Sequence, residues 1–354
     1  MNAVAGVLLD VVGIVVMFLV LIAPHEAGHF ALAKLFGVRV IEFSVGAGTR
    51  LWSTTRNGTL YAIRAIPIIG YVRMGGMEAG DFAEPNGFHS KPPLQRIAIL
   101  AAGPIVNFLV AMVLITGFNL TILNSDPGKV ASVIDGSPAA SAGMRAGDSI
   151  RSVDGMAVTA EGQIQQVEVD RPGQPLTISG THSDGKAYTV YVTPVLKDGN
   201  YRIGLSSERV VTPLTALQDG VSFPFQAIGI IFQGLGQLVT GQIKGGLFGP
   251  SGLTGPIGIA ATTVGAVNSG PPTYILLVAL LSVALGVTNL LPLLALDGGR
   301  IVVVIVEWLR RRPFDRNNEL NFQRWGLAAI FALAAVIGFL DIQRLASGEF
   351  RGVH

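Results

Sequence analysis

The chain has 354 residues, of which 50% are hydrophobic and only 14% charged, with a net charge of +2. Soluble domains carry roughly a quarter charged residues, so this composition points to membrane immersion. So mild a charge, with no basic stripe, excludes a nucleic-acid binder, and the absence of Cys excludes disulfides, a cysteine nucleophile and thiolate metal sites, leaving nitrogen and oxygen as the only ligands for a metal.

The first apolar run, Ala3 to Ala23, is long enough to cross about 30 Å of hydrocarbon. It lacks the basic leader and small-residue cleavage site of a signal peptide, so a retained span is expected, helical to about Phe36. Asp10, its one charge, is expected near the interface or against a neighbouring helix. At the far end stands His25-Glu26-Ala27-Gly28-His29. On a helix, residues four apart share a face, so both imidazoles can bind one metal ion, with Glu26 beside them as a base for water. Two His and a Glu beside an apolar run are costly unless paired or metal-bound. The alternative is an interfacial capping cluster.

Residues 37–93 alternate β-rich runs with Gly, and Asn57-Gly58 is a hairpin signal, so a small sheet near the membrane is expected. Its Gly-rich part, Phe43–Gly48 with Gly46 and Gly48, is suited to hold an extended substrate strand by edge pairing; a purely structural sheet is the alternative. A second span is expected over Ile97–Ile122, containing Gly103-Pro104 and Asn107.

Residues 124–209 have a soluble composition, with strand-like runs at Lys129–Ile134, Tyr188–Val192 and Tyr201–Leu205. The stretch Gly136–Gly155 reads as a turn, a short helix, then Gly-Asp leading into a strand and a turn at Asp154-Gly155. It resembles the core signature of a PDZ domain. That resemblance implies peptide binding by strand addition, assigned to Ile203, Gly204 and Leu205. A size filter is the other role open to such a domain.

A third span is expected over Tyr274–Leu296 and a fourth over Trp325–Leu340. A catalytic metal needs a third protein ligand. His89, His182 and His354 lie outside the spans, so the candidate is Asp297, where Pro292, Gly298 and Gly299 permit a break in the helix. For His25 and Asp297 to share a depth, spans one and three must run the same way. A crossing by the Gln- and Gly-studded segment 221–245 would separate them by about a bilayer thickness, so it is expected to be an interfacial or re-entrant amphipathic helix, able to gate access.

H-E-x-G-H in a first span, a PDZ insertion, and N-x-x-P-x-x-x-L-D-G-G in a later span together resemble the bacterial site-2 protease family, intramembrane zinc metalloproteases. Ala102–Phe108 is similar to the family's second core span, and Phe43–Gly48 resembles its membrane-dipping hairpin. The family usually has a further Pro where this chain has Leu294. The resemblance implies one zinc ion held by His25, His29 and Asp297, with Glu26 as catalytic base. It implies that Asn289, Pro292 and Asn107 serve the oxyanion or substrate. It also implies single-span membrane proteins as substrates, anti-sigma factors or remnant signal peptides among them. Two His and a carboxylate also suit Fe(II).

The expected architecture is a polytopic α-helical membrane protein of four transmembrane helices, with a membrane-associated β-sheet and an inserted α+β PDZ domain. Its regions are a membrane core (1–123), the PDZ domain (124–209), an interfacial or re-entrant region (210–272) and a second membrane core (273–354). Basic residues cluster after span one (Lys34, Arg39, Arg50, Arg56, Arg64, Arg73) and after span three (Arg300, Arg310, Arg311, Arg312, Arg316). By the positive-inside rule both clusters are cytoplasmic, in a bacterial inner membrane, with the active site near that face and the PDZ domain and both termini outside. A non-catalytic PDZ scaffold would not need Glu26, and a metal transporter would need more polar residues along its spans.

Overall fold

The computed structural model describes residues 3–78, 80–197, 199–242, 249, 252–293 and 295–347. Expectations that fall on 243–245, Leu294 and His354 lie outside these. The chain divides into two compact units, Met1–Thr116 with Asp219–His354, and Gly117–Gln218.

In chain order, helix α1 spans Ala3–Leu35. Its apolar run continues through the His-Glu pair, and it stops where Gly37 takes a left-handed φ of 67°, a stop that costs Gly little. Strands β1 (Val40–Arg56) and β2 (Thr59–Met74) follow. Their turn has positive φ at both Asn57 and Gly58, as the sequence pair predicts. The two long strands pair antiparallel at both ends, Ser44 with Tyr71 and Ser53 with Ala62. Glu42–Val45 also lie beside Leu60–Ile63, so this stretch of β1 has a partner on each side. Residues 70–73 of β2 thereby form an outer edge. Helix α2 (Pro93–Thr121) comes next.

The second unit contains β3 (Val130–Val133), α3 (Pro138–Ser141), β4 (Ser149–Val153), β5 (Met156–Ala157), α4 (Gln163–Asp170), β6 (Leu176–Thr181), β7 (Ala187–Val192), β8 (Val195–Lys197), β9 (Asn200–Arg202) and β10 (Leu205–Ser207). A four-stranded sheet runs β5-β4-β6-β7, and β10 pairs with β3. Ser137 caps α3, its hydroxyl accepting from the Ala140 N–H. Val130, Met144, Ile150, Ile164, Leu176, Ile178 and Ile203 fill one apolar core.

The first unit resumes in α5 (Pro213–Val239), followed by α6 (Pro256–Ser269), α7 (Pro271–Leu290), α8 (Asp297–Arg310) and α9 (Arg316–Ser347). Among the described residues four helices, α1, α2, α7 and α9, are long and apolar enough to cross a membrane. Their ends differ from expectation. The third stops at Leu290 rather than Leu296. Pro292 has no N–H to continue the helix and holds Leu291 extended, at φ −62° and ψ 144°. The fourth is longer than expected because charged residues flank its apolar centre without breaking it. Helix α5 is docked, with Ala227 packed among Ala111 of α2 and Ala279 and Val283 of α7. Helix α6, with 14 residues, is a short helix inside the region expected to be interfacial.

A buried ionic knot ties α8 to α2 and α9. Glu307 accepts from Arg96 Nη1 at 2.7 Å and Arg316 Nη1 at 2.6 Å. It also accepts the Phe314 N–H at 2.8 Å. Glu307 and Arg96 are 5% and 6% exposed. Glu307→Ala leaves two guanidiniums without their shared acceptor, so a loss of about 3–5 kcal/mol is expected, read as earlier thermal unfolding in detergent. Beside the knot, burial, then Arg316 and Arg96, hold His89 down at about 4. An unfolded His titrates near 6.5. The neutral imidazole is therefore favoured by the fold, and that stability is complete above pH 6.5 and lost as pH falls towards 4. Unfolding midpoints across this window are expected to fall less steeply for His89→Asn than for the wild type.

Candidate metal centre

Three side chains meet where α1, α2 and α8 come together. The Nε2 atoms of His25 and His29 are 3.3 Å apart. Asp297 Oδ2 lies 3.4 Å from the first and 3.3 Å from the second. Both His are buried, at 7% and 6% exposure. The helical spacing of four brings the imidazoles to one face, edge to face, with ring centres 4.8 Å apart. His29 Nδ1 is 2.8 Å from the Ile99 carbonyl, which can only accept. The proton therefore sits on Nδ1, and Nε2 turns its lone pair to Asp297.

Asp297 reaches this point through the helix break that Pro292 and the two glycines permit, earlier in the chain than expected. It opens α8 instead of closing α7. A Cβ on Gly298 would come within 2.3 Å of the carbonyls of Leu290 and Leu291, so only Gly lets the new helix start against the end of the old one.

The donor set tests well against a zinc ion. Tetrahedral bonds of roughly 2.0–2.1 Å place ligand atoms about 3.3–3.4 Å apart, which is the spacing of these three donors. Without a cation, the His29 Nε2 lone pair and the Asp297 carboxylate would face each other in a buried site. Among the described residues this is the one group of three such side chains close enough to hold a metal.

A cleft of about 500 Å³ opens onto the three donors. Glu26 lines it, held by the backbone N–H of Val72 and packed at Cγ against Gly70, where an added Cβ would come within 2.8 Å. Ile69, Gly70, Tyr71 and Val72 of the β2 edge form one wall; Asn289, Leu296 and Arg300 form another. Tyr71 is fixed from behind: its hydroxyl and Arg64 Nη2 both bond Glu42 Oε1, at 2.7 and 2.6 Å.

The remaining expected site residues are placed differently. Gly46 and Gly48 have φ of 96° and 81° and do not line the cleft; a Cβ on Gly46 would strike the carbonyls of Arg64 and Ile66. The strand facing the donors is 69–72 instead, because β1 is covered on both sides there. Asn107 is fully buried, its amide without a protein partner, and lies outside the cleft lining, as does Pro292.

The residue that sequence reasoning undervalued is Gly103. A Cβ there would lie 2.3 Å from His29 Nε2 and 2.8 Å from His25 Cε1. A Cβ on Gly28 would meet the Ala102 carbonyl at 2.6 Å. Two glycines thus let α2 press directly onto the histidine face of α1. The signal was present as small residues near each other's helices, a common device of membrane helix contacts.

A bundle of membrane-length helices holding His-Glu-x-x-His against a carboxylate is the arrangement of a membrane metallopeptidase. Comparison with known sequences agrees: residues 13–333 match peptidase family M50, and the chain belongs to that family. It is 31% identical to a putative zinc metalloprotease of Clostridium acetobutylicum, over 94% of this chain and 97% of the relative. It is 27% identical to the regulator of sigma-W protease RasP of Bacillus subtilis, over 95% and 98%. It is also 27% identical to the probable protease eep of Enterococcus faecalis, over 94% and 99%.

Gly103→Ala is expected to displace both imidazoles. Zinc retention against a chelator should fall by at least about tenfold, while Gly117→Ala, where nothing lies within 4 Å of the new Cβ, should leave it unchanged.

Proposed function

We propose that this protein is a zinc metalloprotease that hydrolyses peptide bonds in membrane-protein substrates, in the manner of regulated intramembrane proteolysis. The observation that carries the reading is the convergence of His25, His29 and Asp297 at tetrahedral spacing with Glu26 beside them. His25 Nε2, His29 Nε2 and Asp297 Oδ2 are the ligands. A zinc ion there supplies a Lewis acid that polarises a carbonyl and lowers the pKa of water. The donor set alone also suits Fe(II), and the name of the Clostridium acetobutylicum relative favours zinc.

Glu26 takes the proton from the attacking water and passes it to the leaving amine. The Val72 N–H and the packing of Gly70 hold its carboxylate towards the cleft. Asn289 lines the cleft, where its amide can donate to the carbonyl oxygen as charge develops. Pro292 acts indirectly, by ending α7 so that α8 can begin with Asp297. A substrate helix must unwind before its carbonyls are open to attack. The β2 edge at 69–72 is the strand beside which an unwound segment lies, with Gly46 and Gly48 shaping the sheet behind it. Ile22, Leu100 and Leu285 supply apolar walls for its side chains.

The second unit is read as the PDZ domain, for its short helix after Ser137, its turn at Asp154-Gly155 and its edge strand β10. The protein is placed in a bacterial membrane. The clustered basic residues support an active site near the cytoplasmic face and a PDZ domain outside. Anti-sigma factors and remnant signal peptides are the substrate classes that fit, the former in keeping with the name of the Bacillus subtilis relative.

The test is cleavage of a tagged single-span substrate by purified protein in detergent. Glu26→Gln is expected to lose about 100-fold or more in rate with its zinc content unchanged. Equal cleavage by both proteins would remove Glu26 from the chemistry. Asp297→Ala is expected to lose zinc and activity together.

A further inference from the structure

A PDZ-type groove captures a peptide in three ways. Backbone N–H groups of a loop hold its terminal carboxylate, an apolar socket takes its last side chain, and a strand edge pairs with its backbone. In this unit the loop is Ile203-Gly204-Leu205, which leads into β10, with α4 as the facing helix.

We propose that Glu168 seals the carboxylate end of this groove, so that the unit takes an internal, extended segment of a protein chain along β10 and not a free C-terminus. The proposal rests on the PDZ reading of the unit. Glu168 is on α4 and only 5% exposed, and its Oε1 accepts the Ile203 N–H at 3.3 Å. A loop donor that a ligand carboxylate would need is therefore already filled by a carboxylate of the same chemistry. A second one brought beside it would meet a like charge away from water. Burial raises the pKa of Glu168, in keeping with a group held out of solvent.

The loop is also anchored in the domain core. Ile203 is 0% exposed and packs in the core with Ile164 and Val167 of α4, at 2% and 7%. These side chains tie the loop to the helix. The strand edge is what remains. Leu205, Ser206 and Ser207 pair with Val133, Ser132 and Val130, in a sheet of two strands. Among the described residues the other edge of β10 has no strand partner. An internal segment asks only for that edge, since it brings no terminal charge and no terminal side chain. A partner can then be engaged anywhere along an extended stretch, without being cut first.

The full-length protein in detergent is immobilised and offered two fluorescent decapeptide pools, randomised at the last four positions. One pool ends in a free carboxylate; the other is amidated, and so mimics an internal segment. The wild type is expected to retain the amidated pool at least as well as the free one. Glu168→Ala is expected to shift the preference towards the free carboxylate by about tenfold, near 1.4 kcal/mol. If that variant fails to fold, Glu168→Gln, which keeps an acceptor but no charge, is expected to shift it several-fold in the same direction. A wild-type preference for the free-carboxylate pool, or no shift in a folded variant, overturns the proposal while leaving a peptide-binding domain in place. Retention of neither pool by any of the proteins overturns the PDZ reading, and the proposal with it.

Discussion

Everything at the centre depends on how closely two helices approach. The imidazoles of His25 and His29 fill the space that a side chain at position 103 would occupy, and the Ala102 carbonyl fills that of one at position 28. Two missing methyl groups thus set where α2 lies on α1. That contact in turn brings the Ile99 carbonyl to His29 Nδ1 and fixes which nitrogen faces Asp297. In lipid, buried polar groups gain little from water, so such a site must satisfy itself from within the protein. The close crossing makes this possible by supplying a backbone acceptor where no polar side chain is present.

The second constraint is a helix that stops early. The residues from Leu290 to Leu296 are almost all apolar and would extend a span by hydropathy alone. Pro292 removes an N–H and holds Leu291 extended, and the chain turns before starting α8. The new helix begins with Asp297, and the knot of Arg96, Glu307 and Arg316 anchors it from its far end. A carboxylate on the first turn of a helix tied at both ends has little freedom to move.

The meeting of His25, His29 and Asp297 was legible in the sequence because the spacing of four is geometric and a carboxylate beside an apolar run needs a reason. The hairpin at Asn57-Gly58 was legible because that pair favours positive φ at both residues. The end of α7 was misjudged because apolar content measures length in hydrocarbon, whereas a helix ends where its hydrogen bonds do. Helix α6 left no trace because fourteen residues of mostly small side chains give neither the length of a span nor a clear period. The wall at Ile69–Val72 was invisible, and Gly46 and Gly48 stood in for it, because only long-range pairing reveals which strand of a sheet is outermost. The role of Gly103 was hidden for a similar reason: it lies in a contact between residues about seventy positions apart in the chain.

The three side chains come from distant parts of the sequence, two from near residue 25 and one from residue 297. A ribosome makes the first pair long before it makes the third. During synthesis the growing chain therefore displays Glu26 and two imidazoles without the carboxylate that they meet in the folded protein. Because α8 is also anchored through Glu307 and Arg316, further along the chain, the three side chains are held together only once the chain has been made past Arg316. A chain interrupted before Asp297 lacks one of the three side chains, so the order of synthesis keeps the cluster from forming in an unfinished molecule.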